Sequence, residues 1–350
     1  MLSLTFKQYN LRFINPVTTS RGTMIEKPSW FFELTDSNLS ERKFHGECSV
    51  IPDLSIDNLK LIESKMNDNC FLVNKNQTLE INTDNIIFPS VDFGFEMLLA
   101  DYHSKNEKVL FENDFTDGYI GIPINGLIWM GDKRKMYGQI KSKLDRGWKC
   151  IKIKVGGIKF EDEIDILKYI RHNFDENELE LRLDANGAFA SVDALNKLEI
   201  LSQFDIHSIE QPIRQGNIEE MAKLCQSSPI PIALDEELIG IFDKEKKIEL
   251  LKSINPDYII IKPSLLGGWK KSDEWIDIAT EINIGYWITS ALESNIGLNA
   301  IAQWTASKSD SNKVHGLGTG MLYENNFKSP LKIIHDKLFF DPEEKFQIQF

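Results

Sequence analysis

Six ionisable residues in the C-terminal two thirds of the chain have the types and spacing of one chemical site. Each ends or interrupts a short apolar run, and after the first two they recur every 25 to 30 residues. One strand, one helix and two turns take about that many residues, so each falls at the same place in a recurring βα unit. Such groups at the C-terminal ends of barrel strands point into one mouth. The six are Lys152, Lys154, Asp184, Glu210, Asp235 and Lys262.

The three carboxylates of this set offer only oxygen ligands. Oxygen ligands suit a hard divalent cation, Mg²⁺ or Mn²⁺, and argue against zinc. Without a cation, three crowded carboxylates would repel one another and raise one another's pKa. Each alone is compatible with a strand-end carboxylate that caps the next helix, but three at matching positions favour a metal site. The predicted metal ligands are Asp184, Glu210 and Asp235.

The three lysines add a base to this predicted metal site. Lys152 and Lys154 stand two apart on a strand, so both side chains face the same side of the sheet. A lysine inside a barrel is costly unless it has a partner or a function. Crowding with Lys262 near a cation should lower the pKa of one lysine and leave it neutral as a base. A carboxylate-bound cation beside such a base can remove a proton α to a carboxylate and stabilise the enediolate.

A regular alternation of strands and helices from about residue 120 positions these groups. Helical spacing follows Lys154 and recurs through the later units, and about eight strand-like runs can be counted, the last ones ending near Thr289 and Gly316. A parallel sheet of this regularity closes most naturally into a (β/α) barrel. A doubly wound open sheet is the alternative, but the Gly-rich phosphate turn expected after its first strand is absent.

Residues 1–115 show a different organisation. Strands are predicted first and helices afterwards, which favours an α+β module. The predicted strands are Leu4 to Phe13, Ser29 to Leu34 and Lys43 to Glu47, and the predicted helices cover residues 56–67 and 90–104. The segment 324–350 breaks the βα rhythm and is expected to pack back on this module.

Composition excludes several classes of partner. The net charge of −13 over 350 residues argues against nucleic acid or an anionic membrane surface as a partner. No signal peptide or stretch long enough to span a membrane is present in the sequence. The four cysteines are scattered without a CxxC pair, which indicates reduced thiols and a cytoplasmic protein. The oligomeric state is left open by the sequence.

The chain resembles the enolase superfamily, specifically its muconate-cycloisomerase-like branch, in which this arrangement of metal and base is established. The resemblance covers nearly the whole chain and implies a (β/α)7β barrel at 116–323 and an α+β capping domain at 1–115. Segments 46–49, 124–131, 290–294 and 316–320 are most similar to the dehydratases of menaquinone biosynthesis. The main motifs are Lys152-Ile153-Lys154, Asp184-Ala185-Asn186-Gly187, Glu210-Gln211-Pro212, Asp235-Glu236 and Lys262-Pro263.

The resemblance implies a role for each site residue. It makes Lys154 the base that removes a ring proton and then protonates the departing hydroxyl. It places Lys262 as a cation over the opposite face of the ring, with Lys152 assisting. The implied substrate is a small carboxylate carrying a succinyl group, bound to Mg²⁺ (or Mn²⁺). The residues implied in substrate binding are Ser290, Gly318, Thr319, Asn186 and, in a capping loop at 19–22, Arg21.

Related activities remain as alternatives. The same two lysines serve N-succinylamino acid racemases and dipeptide epimerases of the branch. Dipeptide epimerases often carry acidic residues near the eighth strand for the substrate's ammonium group, and residues 314–320 contain none. A non-catalytic barrel used as a binding module would be expected to lack a ligand or a lysine, and none is missing.

Overall fold

The N-terminal part of the protein is an antiparallel sheet of three strands covered on one face by two helices. The computed structural model describes residues 1–19, 22–39, 41–80, 88–308 and 312–350. The strands pair in the order β1-β2-β3, and both pairings are antiparallel. The elements are β1 (Leu2–Thr19), β2 (Gly22–Asp36), β3 (Lys43–Ser49), α1 (Ile62–Asn76) and α2 (Pro89–His103).

Aromatic side chains fill the space between this sheet and its helices. Trp30, Phe32 and Phe44 are buried there with residues of α1 and α2. The helix predicted at residues 56–67 is present, but its predicted bounds are wrong, since α1 covers Ile62–Asn76. The physical reason lies at Asp57, whose carboxylate accepts hydrogen bonds from the backbone and hydroxyl of Ser90 at the start of α2, at 3.1 and 2.8 Å.

Seven parallel strands form the second sheet, and neighbours in the chain are neighbours in the sheet. Their outward residues, such as Ile151, Ile153 and Leu183, are fully buried against surrounding helices. The predicted run at residues 120–128 is divided into a short β4 (Ile122–Pro123) and the first barrel strand. The barrel strands are β5 (Gly126–Ile128), β6 (Cys150–Lys154), β7 (Glu180–Asp184), β8 (Ile206–Glu210), β9 (Ile232–Leu234), β10 (Tyr258–Ile261) and β11 (Gly285–Ile288).

Helices follow the strands in regular alternation. Each βα unit therefore presents the C-terminal end of its strand at the same end of the barrel. The helices are α3 (Lys133–Asp145), α4 (Phe160–Asn173), α5 (Ser191–Leu201), α6 (Ile218–Ser227), α7 (Lys244–Ile254), α8 (Pro263–Leu266), α9 (Trp269–Glu281) and α10 (Asn295–Lys308).

A short extended segment around His315 closes the barrel between β11 and β5. The backbone of His315 exchanges hydrogen bonds with Pro123 and Asn125, and Gly316 accepts from Ser290 and donates to Ile288. The predicted eighth strand is thus present only as isolated parallel bridges rather than as a ladder. The expected fold class, a (β/α)7β barrel with an α+β cap, is confirmed.

The C-terminal segment contacts both parts of the protein. The hairpin of β12 (Leu331–Ile334) and β13 (Lys337–Phe340) pairs with β4. The ring of Phe350 packs against Phe31, with ring centroids 5.1 Å apart. The division into domains at residues 1–115 and 116–323 stays a prediction. No helix among the described residues is long and apolar enough to cross a membrane.

Candidate active site

Strand register brings the predicted polar residues to one level of the barrel. Lys154 on β6 lies beside Asp184 on β7, which in turn lies beside Glu210 on β8. Asp235 and Lys262 directly follow β9 and β10. Because each strand ends in a polar residue after an apolar run, all five side chains reach the same mouth.

The lysines and carboxylates form one buried network of ion pairs. The ammonium group of Lys152 lies 2.8 Å from Asp184 and also contacts Glu210. Lys154 donates to the same oxygen of Asp184 at 2.7 Å. On the other side, Lys262 pairs with Asp235. Asp184 and Glu210 are fully buried, so these charges interact with little screening by water.

The three lysines have different pKa shifts. Burial lowers the pKa of Lys154, and the charges of Lys152 and Lys262 lower it further, although Asp184 opposes them. Burial acts in the same direction on Lys152, but Asp184 and Glu210 raise its pKa overall. Burial and the charge of Lys152 also lower the pKa of Lys262, but the carboxylates of Asp235, Glu236 and Glu210 together raise it overall. Lys154 is therefore the lysine best suited to give up its proton.

The carboxylates differ as well. Burial raises the pKa of Glu210 to about 7, and the negative charges of Asp184 and Asp235 add to that rise. Burial acts likewise on Asp184, but the ammonium groups of Lys152 and Lys154 hold its pKa below the usual value. The prediction that the carboxylates raise one another's pKa therefore agrees with Glu210 and is wrong for Asp184, where lysines supply the compensating charge.

The donor set fits a hard cation. As the side chains stand, no group of three or more acidic, His or Cys side chains among the described residues is arranged so that it could hold a metal ion. Lysine ammonium groups lie on these carboxylate oxygens instead. One oxygen, Glu210 Oε1, is buried without a hydrogen-bond partner in the described structure. Leaving a buried charged oxygen unpaired is costly, and an oxygen-seeking cation such as Mg²⁺ removes that cost. Asp184, Glu210 and Asp235 are the residues that can hold it.

Asn186 orients the candidate base. Its side-chain oxygen accepts a hydrogen bond from Lys154 Nζ at 2.5 Å, and its amide nitrogen donates to Glu236 at 2.9 Å. The backbone of Asn186 is left-handed, with φ of 45°. Asparagine tolerates that conformation better than most residues, which explains its place directly after the strand-end pair Asp184-Ala185.

A cavity of about 230 Å³ lies above the network. Ser290 and Thr319 face it, and their hydroxyl groups are hydrogen-bonded to each other at 2.5 Å. Arg21 lies outside the described residues. The three predicted carboxylates lie beneath this cavity. Seven of the eleven predicted site residues line it: Lys152, Lys154, Lys262, Asn186, Ser290, Gly318 and Thr319.

The structure adds residues that sequence reasoning missed. Lys143 of α3 lines the cavity, although it lies outside the strand-end pattern. Asn125 and Thr289 also line it, and each has a buried side-chain oxygen without a partner among the described residues. From the cap, residues 51–54 complete the wall. Asn125 and Thr289 flank the barrel strands β5 and β11, so the strand pattern could have indicated them. No sequence signal would have found Lys143 or residues 51–54, because the packing of α3 and the docking of the cap bring these to the site.

Comparisons with known proteins identify the family of this chain. The family "Enolase C-terminal domain-like" matches residues 135–338. A protein from Desulfotalea psychrophila named o-succinylbenzoate synthase is 43% identical over 95% of this chain and 97% of its own length.

Solved structures show the same fold. The structure of MenC from Desulfotalea psychrophila has a TM-score of 0.84 and 41% identity, and the match covers 97% of this chain and 99% of that one. A dipeptide epimerase from Enterococcus faecalis, complexed with Mg and the dipeptide L-Leu-L-Tyr, has a TM-score of 0.80 at 20% identity, with 97% and 96% of the two chains covered. From the family match and the full-length relative it follows that this chain belongs to the enolase superfamily.

Proposed function

We propose that this protein is an o-succinylbenzoate synthase, a Mg²⁺-dependent dehydratase (a lyase) of menaquinone biosynthesis. The reaction converts 2-succinyl-6-hydroxy-2,4-cyclohexadiene-1-carboxylate to 2-succinylbenzoate and water. The observation that carries the proposal is the single cavity that Lys154 and Lys262 both line, above three buried carboxylates. The name of the relative that is 43% identical over nearly the full length supports the choice of substrate.

Lys154 is the base of the proposed reaction. Its lowered pKa favours the neutral amine that can take the proton from the ring carbon bearing the carboxylate. The same group then returns that proton to the departing hydroxyl. The C–H and C–O bonds break, a ring C=C bond forms, and water leaves as the ring becomes aromatic. Because one group serves both steps, the elimination is syn.

Lys262 and Lys152 stay cationic and stabilise the charge that develops on the substrate. Three strands lie between β6 and β10 in the sheet order, so Lys154 and Lys262 approach the cavity from opposite sides. The raised pKa of Lys262 suits a permanent cation. Mg²⁺ held by Asp184, Glu210 and Asp235 would neutralise negative charge on the substrate's ring carboxylate. The Mg in the Enterococcus faecalis structure supports that ion, with Mn²⁺ as the alternative.

The far end of the cavity is suited to the succinyl carboxylate. Ser290 and Thr319 offer hydroxyl groups there, and the backbone at Gly318 is accessible because that residue has no side chain. A Cβ at Gly318 would be in ordinary van der Waals contact with Asn125 and Ile124, the nearest atoms at 3.6 Å. Arg21 is proposed to meet an anionic group from the capping loop.

The proposed binding partner is thus the small carboxylate substrate. We propose neither a nucleic acid nor a membrane as a partner. We place the enzyme in the cytoplasm. Its four cysteines are all free thiols in the structure, which is usual in a reducing compartment: Cys48, Cys70, Cys150 and Cys225.

The decisive experiment follows aromatisation of the cyclohexadiene substrate by absorbance. The purified protein should turn over the substrate with Mg²⁺, lose activity after treatment with a chelator, and regain it when Mg²⁺ or Mn²⁺ is added. No turnover in the presence of Mg²⁺, with exchange of the α-proton of N-succinylamino acids, would instead identify a racemase.

One observation favours a second candidate, a dipeptide epimerase. Asp53 of the cap lines the cavity and offers a carboxylate for the ammonium group of a dipeptide. Residues 314–320, where such enzymes often place acidic residues, contain none. Deuterium incorporation into a panel of dipeptides tests this candidate. If the protein catalyses this incorporation, Asp53→Asn should abolish it.

A further inference from the structure

Three buried ionisable residues between the cap and the barrel have no part in the proposed chemistry. Lys27 of β2, Glu47 of β3 and Glu293 of the loop after β11 are all completely buried. Burying charged groups costs free energy unless they are paired and hydrogen-bonded. Their environment therefore shows what the fold gains from keeping them.

Within the cap, hydrogen bonds connect Lys27 to Glu47. Lys27 Nζ donates to the hydroxyls of Ser29 and Ser49 at 2.8 and 2.9 Å. Ser29 in turn donates to Glu47 Oε1 at 3.1 Å. The hydroxyl of Ser29 thus links the two charges, whereas Ser49 connects Lys27 to the carbonyl of Ala291 in the barrel.

The carboxylate of Glu47 crosses to the barrel and binds the start of α10. It accepts from the backbone nitrogen of Ser294 at 2.9 and 3.0 Å, from its hydroxyl at 2.6 Å, and from the backbone of Gly297 at 3.0 Å. A helix N-terminus carries unpaired N–H groups and partial positive charge, so a carboxylate is stabilised there. A Cβ at Gly297 would lie 2.8 Å from Glu293 Cβ and 2.9 Å from Glu47 Oε2, so glycine leaves room for both glutamate side chains.

The same contacts hold the barrel wall of the substrate cavity. Ala291 and Leu292 line the cavity. The backbone nitrogen of Ala291 donates to Glu293 at 2.6 Å, and its carbonyl accepts from Ser49 at 3.3 Å. Leu292 is left-handed, with φ of 61°, a conformation that costs energy for a residue with a large side chain. The loop therefore needs outside support to keep its shape.

The cap wall of the cavity begins directly after the same cluster. Ser49 ends β3, and residues 51–54 that follow it line the cavity opposite the barrel loop. Glu47 and Ser49 thus contact or adjoin both walls of the cavity, residues 51–54 of the cap and residues 291–292 of the barrel. Any shift between cap and barrel at this point changes the distance between these two segments.

We propose that Glu47, together with Lys27 and Glu293, is a positioning residue that sets the distance and register between cap residues 51–54 and barrel residues 290–292, and thereby the fit of the dicarboxylate substrate. The choice of substrate rests on the proposed function, whereas the positioning role rests on the contacts alone. Glu47 does not touch the cavity, so its effect passes through the two loops.

The test compares Glu47→Gln with Asp101→Asn. Asp101 is a matched control because it is also a buried carboxylate of the cap that is linked to α10. It pairs with Lys108, and the backbone carbonyl of Lys108 accepts hydrogen bonds from Asn299 and Gln303 of α10. None of these control residues lines the cavity. Glu47→Gln should raise KM for the cyclohexadiene substrate by about tenfold or more and change kcat by less than about threefold, since lost charged hydrogen bonds have that size. Asp101→Asn should lower thermal stability by about as much as Glu47→Gln does, but should leave KM unchanged.

Hydrogen–deuterium exchange gives a second readout that needs no substrate. Glu47→Gln should speed amide exchange at both 49–55 and 289–294, and Asp101→Asn at neither. An unchanged KM with unchanged exchange in a folded Glu47→Gln protein overturns the proposal. If that variant does not fold, Ser29→Ala, which removes one donor to Glu47, should give the same changes at smaller size. If the wild-type protein does not turn over the diene, the proposed function fails, and exchange at the two segments decides the positioning role alone.

Discussion

Lys152, Lys154 and Lys262 are identical side chains whose surroundings give them different chemistry. Lys152 contacts two carboxylates and Lys262 contacts one, so both hold their protons firmly. Lys154 shares Asp184 with Lys152 and turns its remaining contact to the neutral amide of Asn186. Two positive charges near it add to the effect of burial, which lowers the pKa of Lys154. The division between a base and two permanent cations follows from these contacts.

The first prediction concerns the base and the opposed cation. Lys154→Ala and Lys262→Ala should each lower kcat by about 10³-fold or more, because each removes a group that acts on the substrate in the transition state. Both variants should stay folded, as judged by circular dichroism. Lys149→Ala is the control, since Lys149 is exposed just before β6. Near wild-type turnover in either site variant would disprove the proposed mechanism.

The second prediction concerns Lys143. Its ammonium group lies 4.0 Å from the centre of the Trp148 ring and has no acidic partner among the described residues, yet the residue lines the cavity. Lys143→Met should therefore weaken binding of 2-succinylbenzoate by about tenfold. This is the size expected when one partly buried charge interaction, here between Lys143 and the distal carboxylate of the ligand, is lost. The exposed Lys141→Met on the same helix should have no effect. Calorimetry checks both variants.

The matching measurement uses 2-butyrylbenzoate, which lacks the distal carboxylate. Lys143→Met should leave the affinity for this analogue unchanged. An equal loss of affinity for both compounds would show that Lys143 acts through packing rather than through its charge.

At the scale of elements, the cap depends on backbone contact between β3 and α2. A Cβ at Gly46 would lie 1.8 Å from the carbonyl oxygen of Gly94, and a Cβ at Gly94 would lie 2.6 Å from the sulfur of Cys48. Glycine at both positions lets the strand and helix approach closely, and this contact places the strand that carries Glu47. A side chain at Gly46 can be accommodated only by moving backbone.

The third prediction follows from that contact. Gly46→Ala should destabilise the protein by about 2 kcal/mol or more, because overpacking against backbone cannot be relieved by a rotamer change. Gly138→Ala is the matched control, since Gly138 is exposed in α3 and a Cβ there meets nothing within 4 Å. That substitution should stabilise by about 0.5–1 kcal/mol through higher helix propensity. Urea denaturation measures both, and equal effects would contradict the argument.

At the scale of the whole molecule, closure of the barrel rests on a narrow seam. His315 is fully buried there, and its Nδ1 accepts a hydrogen bond from the backbone of Ile288 at 3.0 Å. Burial lowers the pKa of His315 to about 3, and the charges of Lys313 and Arg182 lower it further. The native protein therefore holds a neutral imidazole at the point where the last segment joins β11 to β5.

The fourth prediction is a loss of stability in acid that depends on His315. The unfolded chain binds a proton at this residue below about pH 6.5, whereas the native state does so only near pH 3, so stability falls as the pH falls through that range. The expected contribution is about 1.4 kcal/mol per pH unit. His315→Gln keeps an acceptor for Ile288 but does not titrate. Its melting temperature should fall less steeply between pH 6 and 4, and an unchanged slope would refute the prediction.

Local sequence determined the chemistry of the site and the class of fold. Apolar runs that end in a charged residue specify both the strand and the polar group at its mouth, because strand periodicity ties side-chain direction to position. Lys154, Asp184 and Glu210 could therefore be placed together from spacing alone, and the structure gives them adjacent register. The start of α1 was misplaced, since Asp57 bonds to Ser90 across a gap of 33 residues.

Tertiary structure decided which neighbours each of these groups has. The reach of Lys143 into the cavity and the contact of Glu47 with α10 join residues far apart in the chain. No periodicity encodes such contacts, because they depend on how the cap docks and how helices pack around the barrel. Charge interactions fall off over a few ångströms, so the pKa shifts follow from that packing. The sequence alone determined which groups meet at the mouth, and the folded structure decided their protonation and the shape of the space above them.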